Sequence, residues 1–213
     1  MKILNKQNVI KYSDFISNYF YQQISFLITK NIYKTEITPN QITVLSLIFG
    51  LLSSFFIYYH YIVSGIIFLN ISFILDCVDG QLARVKHMQS DFGMWLDNIS
   101  DRVVENSVIL AVIFANFNLI IIKGGLVLLF LNMLYAYMSD MVIYLNKQYR
   151  YLKLSEKIIF SPIYFISRSM IIPLLSLMII YPTFIYGVDI LYLYGIAFRL
   201  YREITGREDE LNV

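Results

Sequence analysis

Between residues 76 and 101 the chain reads Asp76-Cys77-Val78-Asp79-Gly80-Gln81-Leu82-Ala83-Arg84, followed by Gly93, Asp97 and Asp101. Ionisable side chains within apolar sequence are costly in a lipid phase and mark a functional site by default. At ~100° of rotation per residue, Asp76, Asp79, Gly80 and Ala83 share one face of a helix. Gly93, Asp97 and Asp101 stack at i, i+4 and i+8 on one face of a second helix. A short turn that brings these faces together places four carboxylates in one pocket, where they repel strongly unless cations neutralise them. Oxygen-only ligands select hard ions such as Mg²⁺, Mn²⁺ or Ca²⁺, and the number of acids suits a two-metal site. Ions so held bind diphosphates and stabilise the attacking and leaving oxygens of an in-line displacement. Gly80, Ala83 and Gly93 lack bulk, which lets a nucleotide or a neighbouring helix approach the backbone. Arg84 offers a fork for a phosphate or a nearby carboxylate.

The elements that must position these residues are membrane helices. Of the 213 residues, 58% are hydrophobic and 16% aromatic, and the mean hydropathy is +0.61, far from a soluble domain. The length allows about six spans of ~20 residues and little beyond them. The expected fold is all-α: an integral membrane bundle of six transmembrane helices with an N-terminal amphipathic interfacial helix. Residues 1–37 form a cytoplasmic or interfacial segment, in which 13–29 can lie at headgroup level. Asn18, Gln22 and Gln23 interrupt any signal-peptide core there. Thr38-Pro39-Asn40 starts the first span, with Thr38 as cap and Pro39 at the first helical position. The spans occupy 38–201, running to about His60, from about Tyr61 through the aspartate block, from Ser90 to about Ala115, and over roughly 120–145, 158–180 and 183–201. Consecutive helices are expected to be antiparallel and adjacent. Residues 202–213 form a tail.

Lysines and arginines alternate over this plan. Apart from Lys123 and the intramembrane Arg102 and Arg168, all lie before the first span, in the second-to-third and fourth-to-fifth loops, or at the C-terminus. The positive-inside rule then makes both termini and the aspartate pocket cytoplasmic. The single cysteine, Cys77, excludes an intrachain disulfide framework and multi-cysteine metal sites.

The full pattern D-x2-D-G-x2-A-R-x8-G-x3-D-x3-D runs without a gap from Asp76 to Asp101. It resembles the signature of the CDP-alcohol phosphatidyltransferase family (class I). The stretch Thr38-Pro39-Asn40-Gln41-Ile42-Thr43 looks like that family's start of the first span. The resemblance implies transfer of a phosphatidyl or other substituted phosphate group from a CDP-alcohol to the hydroxyl of a second alcohol, with release of CMP, in phospholipid biosynthesis. It implies Mg²⁺ or Mn²⁺ held by Asp76, Asp79 and Asp97, with Asp101 as general base that also touches metal. It places Asn40, Gly80, Ala83, Arg84 and Gly93 around the CDP moiety. CDP-diacylglycerol is the expected donor, with soluble CDP-alcohols as the alternative. The acceptor is a small alcohol; the run Gly93-Met94-Trp95-Leu96-Asp97 with Arg168 looks closer to members using inositol phosphate or a similar phosphorylated polyol, with glycerol 3-phosphate and serine as competitors. Membrane lipids are expected partners and nucleic acid is not. The implied setting is the cell (inner) membrane, and a homodimer is expected from the resemblance alone.

Two other classes use similar residues. A divalent-cation transporter would spread acids along a path through several spans, whereas these cluster on two. An intramembrane prenyltransferase resembles a larger bundle with two separated aspartate-rich motifs, and here there is one. Several polar residues also have structural readings. Arg102 can pair with Glu105 at i+3. Arg168 either binds acceptor phosphate or neutralises an aspartate or snorkels. Cys77 packs, and His60, His87 and Trp95 suit the interface.

Overall fold

The computed structural model describes residues 20–144 and 168–210. Among the described residues there are seven α-helices: α1 (Gln22–Ile32), α2 (Pro39–Tyr58), α3 (Ile62–Lys86), α4 (Asp91–Asn116), α5 (Leu119–Tyr144), α6 (Arg168–Ile180) and α7 (Ile185–Glu210), with a 3₁₀ turn at Pro182–Phe184. Among the described residues there is no strand. Pro39–Tyr58, Ile62–Lys86 and Leu119–Met138 are each long and apolar enough to cross a membrane. The apolar stretches Ile171–Ile180 and Pro182–Phe198 are shorter. The protein is therefore an all-helical membrane protein. Residues 1–19 and 145–167, including the start of the expected interfacial helix and most of the fourth-to-fifth loop, lie outside the described residues.

Local chemistry sets the ends of the helices that carry the site. Thr38 caps α2 in a full capping box: its hydroxyl accepts from Gln41 N at 3.4 Å and its own N–H donates to Gln41 Oε1 at 2.9 Å. At the end of α3, His87 takes the left-handed conformation (φ 56°) and the Met88 N–H wraps back to the Ala83 carbonyl at 2.9 Å. Ser90 then caps α4 by accepting from Gly93 N at 3.0 Å. The reversal takes only residues 87–90, so the two aspartate-bearing helices start and stop within one tight turn.

α3 and α4 meet across the site without packing along each other. Each packs extensively on α2, and far less on the other. Small residues allow this. A Cβ added at Gly50 on α2 would come within 2.3 Å of Val104 on α4. Ser46 and Ser72 hydroxyls each donate to the other's carbonyl at 2.8 Å across α2 and α3, and Ser53 donates to the Gly65 carbonyl at 2.8 Å. Helices in lipid associate through such close backbone approach and interhelical hydrogen bonds. The result is a cleft between α3 and α4 with α2 as its back wall. Gly50→Ala should destabilise the fold by about 1–3 kcal/mol, because stiff β-branched Val104 cannot swing aside. A lowered unfolding midpoint in detergent checks this, and an unchanged midpoint contradicts it.

The remaining helices close the bundle. α5 packs on α4 and α7, and α6 on α3. The main core joins Leu69 and Phe73 of α3, Val108 and Val112 of α4, Leu128 of α5, Leu175 and Met178 of α6 and Ile185 of α7.

α1 differs from a simple surface helix. Its buried residues are polar: Gln22, Ser25 and Thr29. Tyr21 Oη donates to Asn70 Oδ1 at 2.7 Å, Ser25 Oγ to the Ile74 carbonyl at 3.0 Å, and Thr29 Oγ1 to Gln81 Oε1 at 3.2 Å. These partners advance along α3 as α1 advances, so the two helices run in the same direction. Leu27 and Phe20 face outward, both more than half exposed. The polar stripe that interrupts an apolar reading of this segment is the stripe that docks it to α3.

Candidate metal and phosphotransfer site

The cleft between α3 and α4 collects the acids. Carboxylate oxygens of Asp76 on α3 and of Asp97 and Asp101 on α4 all lie within 4.8 Å of one another. Opposed ligands of a divalent ion, each bonded at 2.0–2.6 Å, stand about 4–5 Å apart. Asp101 is buried, and Asp76 and Asp97 are partly buried. Three carboxylates this close repel one another, and a shared cation relieves that repulsion. The donor set therefore fits a hard divalent ion.

Asp79 is not among these three. It is buried, and its Oδ2 accepts from the Thr43 hydroxyl at 2.6 Å. Thr43 sits in the second turn of α2, so this bond ties the aspartate segment of α3 to the back wall. Gly80 and Arg84 are one turn apart, and the Arg84 guanidinium folds over Gly80: a Cβ there would sit 3.4 Å from Nη1. That is ordinary contact, so Gly80 leaves the site open instead of filling a tight gap.

Gly93 meets a residue from a distant part of the chain. A Cβ at Gly93 would lie 3.1 Å from Ser90 Oγ and 3.3 Å from Asn40 Oδ1. The start of α2 and the start of α4 thus come together at the mouth of the cleft. A cavity of ≈ 390 Å³ opens there, lined by Thr38, Pro39, Asn40, Met88, Gln89 and Ser90. The aspartates do not line this cavity, but Asn40 belongs to it and also borders Gly93. Ala83 is partly buried, and its carbonyl holds the end of α3. Arg168 opens α6, and its side chain lies outside the described residues.

Three further polar residues carry no role in the sequence reading but tie the helices of the site to their neighbours. Thr43 orients Asp79. Gln81, fully buried between Gly80 and Arg84, donates from Nε2 to Gln22 Oε1 at 2.7 Å and to the Gln22 carbonyl at 3.1 Å, fixing the aspartate segment to α1. Asn132 on α5 is fully buried and meets Arg102, which also pairs with Glu105 at 2.7 Å. The expected Arg102–Glu105 pair is present. Each of these is a polar side chain within an apolar helix, which is the available sequence signal, although its partner cannot be read from spacing. Cys77 is a buried thiol in the core whose Sγ accepts from Gln22 Nε2 at 3.8 Å, in keeping with packing. His60 and His87 are exposed and adopt left-handed backbone conformations at helix ends.

A model of the CDP-alcohol phosphatidyltransferase family matches residues 36–199. Among curated relatives, the chain is 35% identical over 115 residues to the archaetidylinositol phosphate synthase of Pyrococcus horikoshii, covering 52% of this chain and 56% of that protein. It is 40% identical over 70 residues to the bifunctional IPC transferase and DIPP synthase of Aquifex aeolicus, covering 33% of this chain and 16% of that protein. The corresponding Thermococcus kodakarensis protein is 32% identical over 104 residues, covering 49% of this chain and 24% of that protein. The matches thus span less than two thirds of each relative. In fold, the chain resembles the phosphatidylinositol phosphate synthase of Mycobacterium tuberculosis with CDP-DAG bound, at a TM-score of 0.63 and 15% identity over 86% of this chain and 93% of that one. The same enzyme in complex with manganese and citrate gives a TM-score of 0.62 and 14% identity, over 85% and 88%. The family model covers most of the sequence and the aspartate signature lies wholly within it: the chain belongs to the CDP-alcohol phosphatidyltransferase family.

Proposed function

We propose that this protein moves a phosphatidyl group from CDP-diacylglycerol to the hydroxyl of a small phosphorylated polyol, releasing CMP, in phospholipid synthesis. The observation that carries this reading is the convergence of Asp76, Asp97 and Asp101 from α3 and α4 at the family's spacing. The named activities of the relatives support it, since one makes archaetidylinositol phosphate and another phosphatidylinositol phosphate.

In this reading Asp76, Asp97 and Asp101 hold one divalent ion, and Asp79, aimed by Thr43, completes a second site. Mg²⁺ or Mn²⁺ there would supply charge neutralisation for the diphosphate and the departing CMP. Asp101 also accepts the proton of the acceptor hydroxyl as that oxygen attacks the β-phosphorus. The new bond joins the acceptor oxygen to phosphorus, and the bond to the CMP phosphate breaks. Asn40, Gly80, Ala83, Arg84 and Gly93 form the CDP surface, where small residues admit the nucleotide and Arg84 takes phosphate oxygens in fork geometry.

The wider arrangement is part of the same proposal. Residues 38–201 form six spans, 1–37 a cytoplasmic or interfacial segment and 202–213 a cytoplasmic tail, in a cell (inner) membrane with the site facing the cytoplasm. The outward Leu27 of α1 and Phe20 just before it support contact between that segment and lipid. A lipid donor suits a cleft whose sides are membrane helices, and the protein acts as a homodimer.

The test is CMP release by purified protein with Mn²⁺ or Mg²⁺, CDP-diacylglycerol and single acceptors. Inositol phosphate should exceed serine, and no CMP from any donor and acceptor pair would sink the assignment. Arg168→Gln should raise the KM for the phosphorylated acceptor by about 10–100-fold, the loss of a hydrogen bond to a charged group, without raising that for CDP-diacylglycerol. An unchanged acceptor KM removes Arg168 from the acceptor site.

A further inference from the structure

Just beyond Asp101, α4 carries a second polar group of different character. Asp97, Asp101 and Glu105 occupy i, i+4 and i+8 on one stripe of α4. Glu105 is buried, so the stripe brings a further carboxylate deep into the bundle one turn from Asp101. Arg102 draws it aside. Its Nη1 donates to Glu105 Oε2 at 2.7 Å and to Asn132 Oδ1 at 2.9 Å on α5. Asn132 is fully buried, and the same Oδ1 accepts from the Tyr192 hydroxyl on α7 at 3.0 Å. Its Nδ2 donates to Asn106 Oδ1, back on α4, at 3.0 Å. One amide thus gathers bonds from α4 and α7 while it is itself carried by α5.

Such a group is costly to bury among apolar helices and is tolerable only when its bonds are made together. It grips α4 at Arg102 and Asn106, directly after the last aspartate of the site. α4 packs on α2 and far less on α3, so the depth and rotation of Asp101 rest on the α2 contact and on this network. We infer that Asn132, acting through Arg102, is a positioning residue for Asp101. The amide fixes the rotation of α4, and Arg102 keeps the Glu105 carboxylate turned toward α5 and α7 instead of toward the acids of the cleft. The inference rests on the reading of Asp101 as the group that takes the acceptor proton.

The test is Asn132→Leu, which keeps the size of the side chain and removes its bonds, in purified full-length protein with Mn²⁺ and CDP-diacylglycerol. A loss of positioning lowers kcat by tenfold or more, while the KM for CDP-diacylglycerol and the Mn²⁺ affinity, read by electron paramagnetic resonance, stay within twofold. Arg102→Lys keeps a charge for Glu105 without the shared guanidinium contact to Asn132. It should show the same split, and it serves alone if Asn132→Leu does not accumulate. Tyr192→Phe leaves the Arg102–Asn132 bond and should stay within threefold of wild type. Unchanged kcat in the variants overturns the inference, and so does a joint fall of kcat, Mn²⁺ binding and unfolding temperature, which marks a network that only holds the fold. A wild-type protein that releases no CMP at all fails the functional reading, an outcome distinct from either of these.

Discussion

Asp101→Asn should abolish turnover while leaving Mn²⁺ and nucleotide binding largely in place. Asparagine keeps the shape of the side chain and one oxygen able to ligate, but it cannot accept a proton. Loss of a positioned general base costs about 10²–10⁴-fold in rate. Asp101 is only 6% exposed, so water has poor access to replace it. CMP release in a single turnover and Mn²⁺ titration, measured on the same preparation, separate the two functions of the residue. If Asp101→Asn and Asp76→Asn lose Mn²⁺ equally, no separate role as base remains for Asp101.

The second large effect belongs to Asp76, and it reverses sign with the metal. Asp97 and Asp101 share α4, so among the three clustered acids Asp76 alone reaches the cleft from α3. Asp76→Asn should weaken Mn²⁺ binding by more than the about 10–100-fold that follows loss of an outer hydrogen-bond partner. Turnover should disappear with it. In chelator the same substitution relieves repulsion among three close carboxylates, so the variant should unfold at the same temperature as wild type or higher. In saturating Mn²⁺ the order should reverse, because only wild type gains the stabilisation that comes from a ligand bound to the native state. A variant less stable than wild type in both conditions would show that Asp76 is a structural hydrogen-bonding group.

Much of this site is legible in the chain because its determinants are local. Thr38-Pro39 starts α2, Ser90 caps α4, and the i, i+4, i+8 spacing of Gly93, Asp97 and Asp101 sets one face of one helix. The Arg102–Glu105 pair is also local, at i and i+3. What periodicity could not supply is which helices touch. α3 and α4 are consecutive and joined by a short turn, yet both lean on α2, because Gly50 and the Ser46, Ser53 and Ser72 contacts make α2 the closer neighbour. The cleft follows from that choice. Thr43 to Asp79, Gln81 to Gln22 and Arg102 to Asn132 join residues 30 or more positions apart. Their polar character marks them in the sequence, and their pairing belongs to the fold. α1 shows the same limit: Gln22, Ser25 and Thr29 read as breaks in an apolar segment until Ile74 and Gln81 of α3 stand opposite them.

The most direct measurement is CMP release from CDP-diacylglycerol by the purified, metal-stripped protein, with a phosphorylated polyol as acceptor and Mn²⁺ then added. The account predicts no release before Mn²⁺, release after it, and none from Asp76→Asn at the same Mn²⁺ concentration. Release that is indifferent to Mn²⁺, or that persists undiminished in Asp76→Asn, would contradict a metal-dependent site built from Asp76, Asp97 and Asp101.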